Sequence, residues 1–268
     1  MIWNDLEKSF INAWALSFSK DRLIFCSISL ILCGVLFVFC RALSSGSGSW
    51  IHVSLAFMPI LLSMGLLLSS GVILVRMYIR EMGGLTLNLK KILAGVLEIA
   101  IGSSYLSFPP VFAFLCLWIV LGFFLLLKEI PLIGPFFSVI LAFGPFLLIF
   151  CSLLLCVLGV AVLFFVVPAV AHRSLKRLEL WADVWRMLKK RPFQAAFLFA
   201  LGLIPACLMA VLLTLAASIA NYSFASNGPS AFLALEWFFM MIPFCALLTP
   251  PIIFFFNFAA ESYLLLRR

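Results

Sequence analysis

Four ionisable side chains stand inside or beside long apolar runs: His52, Glu98, Glu236 and Glu261. A charge at the centre of a bilayer costs several kcal/mol, so each is a candidate proton relay, ion ligand or intramembrane polar contact. Depth separates them. His52 lies just inside the start of its run and reads as a wet interfacial histidine rather than a relay. Glu236 sits beside Trp237 near a run's end, within reach of interfacial water, and Glu261 precedes Arg267 and Arg268 closely enough to predict an ion pair with them. Glu98 is the candidate intramembrane polar site. Ala94, Glu98 and Gly102 are spaced by four, which puts small residues on either side of a carboxylate on one helical face. Such a face admits a second helix closely, with a polar contact at its centre. Glu98 also follows Lys91 at a distance short enough to snorkel.

Sulfur chemistry is not indicated. The eight cysteines (Cys26, Cys33, Cys40, Cys116, Cys151, Cys156, Cys207 and Cys245) lie in or at the end of apolar runs, with no CxxC pair and no His or Asp at ligand spacing. They read as small packing residues. Cys26, Cys33 and Cys40 share one face of a helix, which predicts a helix-packing seam. No nucleotide loop, GxSxG elbow, HExxH or paired-carboxylate motif occurs, and Gly83-Gly84 is too little for a phosphate loop. No catalytic, cofactor-binding or metal-binding residue is assigned, and the reading is non-enzymatic.

The longest polar interruption between apolar runs is FVVPAVAHRSLKRLELWADVWRMLKKRPF, Phe165 to Phe193. Leu175, Leu178, Trp181, Trp185 and Leu188 fall at steps of three or four, with basic residues at the ends and on the opposite face. That pattern predicts an amphipathic helix over 173–190 lying in a membrane–water interface. Arg173, Lys176, Arg177, Trp181, Trp185, Arg186, Lys189, Lys190 and Arg191 form its candidate interface, for anionic lipid or for a protein partner. A formal charge of +8 would also suit nucleic acid, but these cations sit beside apolar runs and mark membrane sidedness instead.

The elements that must position these residues follow from composition. Apolar residues make up 66% of the chain and charged ones 10%. A soluble domain needs about a quarter of its residues charged to cover its surface, so lipid must be the outer solvent here. The expected fold is an all-α polytopic transmembrane bundle of about six spans in three hairpins, with amphipathic interfacial helices. Residues 1–22 read as a short cytoplasmic interfacial helix with Leu6, Phe10, Trp14 and Phe18 in one row, not as a cleavable signal peptide. Phe39 before Cys40 argues against lipoprotein processing. Spans are predicted over 23–40; 50–75, kinked at Pro59; 92–127, bent; 136–167, broken at Gly144-Pro145; 193–220, kinked at Pro205; and 231–258, breaking at Pro250-Pro251. The run 92–127 could alternatively form two short spans joined at Pro109-Pro110. Arg76 to Lys91 reads as a basic loop.

With that count, both termini and the basic connections share one side, and of the 18 Lys and Arg only Arg41 and Lys128 fall on the other. Basic residues are retained in the cytoplasm, so both termini are expected there. Asn221-Tyr222-Ser223 matches a glycosylation sequon on the opposite side but hugs the membrane. An interfacial basic segment precedes a helical hairpin at Asp5–Arg22, Arg80–Lys91 and Arg173–Arg191, a threefold pattern that hairpin arrays also produce without duplication.

Val167-Pro168-Ala169-Val170 at the end of a span, followed by a helix closing in Trp185-Arg186-Met187-Leu188-Lys189-Lys190-Arg191 and then another span, resembles a group of bacterial six-helix membrane proteins. The group includes the membrane-domain family associated with glycerophosphoryl diester phosphodiesterases. His172-Arg173 and Asp183-Val184 depart from the pattern, where an acidic residue and Ser are common. The resemblance covers mainly the second half, lends no catalytic residue, and implies a bacterial inner (cytoplasmic) membrane location. Two functional classes follow. One is a scaffold that organises lipid or a partner; the other is a permease or transporter subunit, driven by a separate ATPase, in which helices broken at prolines line a cavity. A polar mid-membrane cavity containing Glu98 would favour the permease, and a core of Phe and Leu throughout would favour the scaffold.

Overall fold

The computed structural model describes residues 3–44, 49–83, 112–113, 115–120, 143–172, 177–224 and 230–267. All regular structure among them is helical: α1 (Trp3–Ala15), a single 3-10 turn (Leu16–Phe18), α2 (Lys20–Ser44), α3 (Ser49–Met82), α4 (Phe143–His172), α5 (Arg177–Lys190), α6 (Pro192–Phe224) and α7 (Ser230–Arg267). Five of these helices are long and apolar enough to cross a membrane, through Lys20–Ser44, Phe57–Met82, Phe146–His172, Pro192–Ile219 and Leu235–Arg267. The chain is a multi-pass membrane protein by the composition of its helices.

The helix at the centre is α7. It touches α1, the 3-10 turn, α2, α3, α4 and α6. From Ile253 to Ala260 every side chain is buried, including Phe254, Phe255, Phe256 and Phe258. Apolar side chains gain little by leaving lipid for one another, so what holds the helices is close packing rather than burial from water. Aromatic edges supply much of it: Phe164 on α4 meets Phe255 of α7 with ring centroids 5.3 Å apart and Phe199 of α6 at 5.6 Å. Gly71 on α3 makes room for the Phe256 ring, which a Cβ there would strike.

The cysteine seam is borne out. Cys26, Cys33 and Cys40 are all buried along α2, and the Cys245 thiol on α7 points to the Leu30 carbonyl at 3.4 Å. Several boundaries differ from expectation. α3 continues through Arg76 and Arg80 to Met82, so those two residues belong to a helix and not to a loop. Ile73, Met77 and Tyr78 are buried there, and their packing sustains the extra turns. α4 is described from Phe143 onward, with Gly144-Pro145 at the start of that described stretch, and the part of the expected span before it lies outside the described residues. α6 continues through Pro205, as expected of a proline that does not end its span, whereas α7 runs through Pro243, Pro250 and Pro251 to Arg267, well past the expected break. Leaving the helix there would present free carbonyls to lipid at several kcal/mol each. The buried neighbours on every side of 252–260 hold the helical course instead.

Helix directions follow from side-chain contacts. Tyr78 near the end of α3 reaches Glu261 near the end of α7, and His172 at the end of α4 lies over Tyr263, centroids 5.4 Å apart. Met64 of α3 fills the space at Gly159 of α4. α3 and α4 therefore run in the same direction, both finishing at the end of the bundle where α2 begins. We call that the Arg22 end. The opposite one is the Arg41 end, where the Arg41 guanidinium lies 4.3 Å from the Trp237 ring centroid. Of the predicted runs 92–127 and 136–167, only the residues given above are described, and Glu98 and the Pro109-Pro110 pair lie outside them.

Candidate functional site

At the Arg22 end the apolar core gives way to a polar cluster that ties α1, the 3-10 turn, α2, α3 and α7 together. Arg22, in the first turn of α2, is 0% exposed. Its guanidinium pairs with Glu81 of α3, donates to the Leu16 carbonyl at 3.1 Å and to Asn257 Oδ1 of α7 at 3.5 Å, and faces the Tyr78 ring at 5.4 Å. Asn257 is itself fully buried and passes the connection on, its Nδ2 donating to the Ala13 carbonyl at 3.3 Å. Arginine suits the place: a planar cation can serve a carboxylate, two oxygens and an aromatic face at once.

A second carboxylate closes the cluster. Glu261 accepts from the Tyr78 hydroxyl at 2.6 Å and from the Ser9 hydroxyl at 3.2 Å. Of the two arginines expected to pair with Glu261, Arg267 does not do so and Arg268 lies outside the described residues. Arg267 is six positions along the helix, about 120° round from Glu261, and is exposed. Tyr78 thus stands between the two halves of the cluster, its ring toward Arg22 and its hydroxyl on Glu261.

The same contacts seat α1. Its buried row is Leu6, Ser9, Ala13 and Ser17, and the Ser17 hydroxyl donates to the Ala13 carbonyl at 2.6 Å. Phe10 packs edge-on against Phe254 at 5.0 Å, and Trp14 does so at 5.5 Å. Ser9 meets Glu261 while Trp14 meets Phe254, so α1 runs antiparallel to α7 along the face formed by Phe254, Asn257, Phe258 and Glu261. The expected row of Leu6, Phe10, Trp14 and Phe18 is therefore split: the first two face the bundle, Trp14 packs one edge on Phe254 and leaves the rest open, and Phe18 is exposed. Small residues at Ser9, Ala13 and Ser17 explain the choice, because they let α1 approach α7 more closely than a row of large ones could.

α5 occupies the same end of the molecule. Val184 is buried in the cluster that also holds Leu6 and Leu266, with Met187 and Leu188 half-buried against it. Trp185, Arg186, Lys189, Lys190 and Arg191 point outward. Arg191 is the only residue between α5 and α6, and its carbonyl accepts from Ala195 at 3.1 Å, which starts α6 at Pro192 without a loop. The chain turns there in an elbow. Of the remaining interface candidates, Arg177 and Trp181 lie on α5 with side chains outside the description, and Arg173 and Lys176 precede it outside the described residues.

Elsewhere, Glu236 is half-buried on the first turns of α7 and the side chain of His52 is outside the description. Among the described residues no group of His, Cys, Asp and Glu is placed to hold a metal ion. Sequence reasoning missed the lock: Arg22 entered only as a sidedness charge, and Asn257 and Tyr78 not at all. Two signals were available. Asn257 and Glu261 are four apart within an otherwise apolar stretch, and Ser9, Ala13 and Ser17 repeat small residues at the same interval.

No family model matches the chain, and neither the curated proteins nor the solved structures contain a match.

Proposed function

We propose that this chain is a non-enzymatic, six-span protein of a bacterial inner membrane, with both termini in the cytoplasm, that organises lipid or a partner protein at its inner face. One observation carries the reading. Arg22, the one charged side chain buried among the described residues, is held by Glu81 and Asn257, the half-buried Glu261 is held by Tyr78 and Ser9, and the core cluster around them is aliphatic and aromatic apart from Cys26 and Cys245. A transport path needs polar groups left available, and unwound helices commonly supply them. Of the three breaks that would suit a permease, the one at Pro250-Pro251 lies within a continuous helix, and Pro109-Pro110 lies outside the described residues.

The span count is supported by direction. We take the chain between Met82 and Phe143 to cross the membrane once, because α3 and α4 both finish at the Arg22 end. Trp118 lies in that interval and packs against Leu61 and Met64 of α3, the pair that Leu155 of α4 also packs against, which suits a crossing beside these two helices. Five spans plus one gives six, and the charge distribution then assigns the Arg22 end to the cytoplasm.

A reporter fused after Arg268 is expected to read cytoplasm and one inserted near Asn227 the opposite side. Both on one side would end the six-span reading. Purification in mild detergent, followed by identification of what co-purifies, tests the scaffold role: a reproducible protein or lipid companion is expected, whereas substrate uptake by proteoliposomes would assign the chain to transport.

A further inference from the structure

The elbow between α5 and α6 joins an exposed basic cluster to exposed aromatic groups at the mouth of a membrane span. From Val184 to Phe197 the sequence holds no acidic residue, while Arg186, Lys189, Lys190 and Arg191 are all exposed. Trp185 is 68% exposed and Phe193, in the first turn of α6, is 88% exposed. Val184 fixes the other side of α5 to the bundle core. The helix cannot turn this face inward without giving up that contact. A large aromatic side chain left that open at the start of a span is placed to meet lipid, as aromatic belts are at membrane interfaces. The start of α6 adds the partial positive charge of a helix N-terminus to the four cations.

We propose that this elbow is a binding site for the headgroups of anionic phospholipids in the adjacent leaflet. Arg186, Lys189, Lys190 and Arg191 take up the phosphate charge, and Trp185 and Phe193 enter the boundary between headgroups and acyl chains. The inference rests on the proposed topology, which puts the elbow in the cytoplasmic leaflet, where anionic lipid concentrates its potential. An acidic protein segment would satisfy the cations equally well. It would leave Phe193, on the membrane span, unaccounted for, and lipid accounts for both halves.

The test uses the full chain in mild detergent, titrated with short-chain phosphatidylglycerol or phosphatidylcholine and read by native mass spectrometry. Phosphatidylglycerol is expected to bind preferentially, and the preference to weaken as salt is raised. The variant R186Q/K189Q/K190Q/R191Q should bind it about tenfold or more weakly, because each surface cation contributes appreciably to anionic-lipid attraction. Trp185→Ala with Phe193→Ala should weaken both lipids by a similar factor. Equal binding of the two lipids, or unchanged binding by the neutralised variant, overturns the proposal. So does a soluble poly-glutamate peptide that displaces phosphatidylglycerol, since the site would then be a protein-docking surface. The topology reporters separate the two failures: a failed lipid titration with cytoplasmic reporters sinks only the lipid site, whereas a reporter after Arg268 on the outer side sinks the topology beneath it.

Discussion

Arg22 and the quartet at the elbow are the same kind of residue put to opposite uses at the same end of one bundle. Arg22 is fully buried and surrounded by Glu81, Asn257, the Leu16 carbonyl and the Tyr78 ring. Arg186, Lys189, Lys190 and Arg191 are exposed, on a helix whose inner side rests on the core. A cation removed from water and given partners becomes structure, because its loss strands the partner charge. A cation left in water becomes a surface, because screening reduces its worth to the fold while leaving it available to ligands. Charge counting treats both as sidedness markers; only the environment tells them apart.

The sharpest way to break this comparison is to delete the buried member. Arg22→Ala should cost about 2–4 kcal/mol, because it empties a fully buried site and takes the donor from the Leu16 carbonyl and Asn257, while Glu81, 33% exposed, keeps part of its hydration. Thermal unfolding in mild detergent can be followed by a maleimide dye that reacts with Cys26 and Cys33, both buried in the folded protein. A midpoint within a degree or so of the parent would mean that the pair is not a lock. Replacing both members, Arg22→Leu with Glu81→Leu, should recover much of the loss, since removing a buried pair together leaves no orphan charge.

Next comes the apolar bed beneath the lock. Gly71→Val sets two methyl groups against the Phe256 ring, which is itself enclosed. Overpacking of this kind costs about 1–3 kcal/mol. The same dye assay should show an intermediate shift, and Gly83→Val, at an exposed turn with no close side chain among the described residues, supplies the contrast. Equal effects at the two glycines would deny the tight approach of α3 to α7.

Tyr78→Phe divides the cluster more finely. The ring over Arg22 is kept and the hydroxyl on Glu261 is lost, so one charge-assisted hydrogen bond disappears, about 1–3 kcal/mol. Ser9→Ala removes the other donor to that carboxylate and should cost nearer 1 kcal/mol, felt mainly in α1. Hydrogen exchange is the discriminating measurement. Ser9→Ala should loosen the amides of α1 while leaving α7 protected; loosening of both, or of neither, would show that Ser9 does not seat α1.

These expectations also indicate what the chain makes legible by itself. The spans are readable because lipid demands long apolar runs, a constraint that acts residue by residue. The cysteine seam is readable because helical periodicity places Cys26, Cys33 and Cys40 on one face. The course through Pro250-Pro251 is not, since proline disfavours a helix locally and only the neighbours packed around Phe254 and Phe258 reverse that preference. The lock is illegible for a related reason. Arg22, Glu81, Asn257 and Ser9 are far apart in sequence, and nothing local distinguishes an arginine about to be buried from one about to meet water.

The smallest effect is expected at the elbow, and it decides the comparison from the other side. Substituting Arg186, Lys189, Lys190 and Arg191 singly by Gln should change stability by no more than about 0.5 kcal/mol each, the usual range for exposed positions. Their mutual repulsion makes even a slight stabilisation reasonable, for four like charges between Arg186 and Arg191 are relieved by any neutralisation. In the dye assay each variant should unfold with the parent. The same four should still bind anionic lipid more weakly, and that separation of stability from binding is what distinguishes a surface held ready for a ligand from a second lock. If any one of them melts as early as Arg22→Ala, that side chain has a partner in the fold, and the elbow belongs with the structure it was set against.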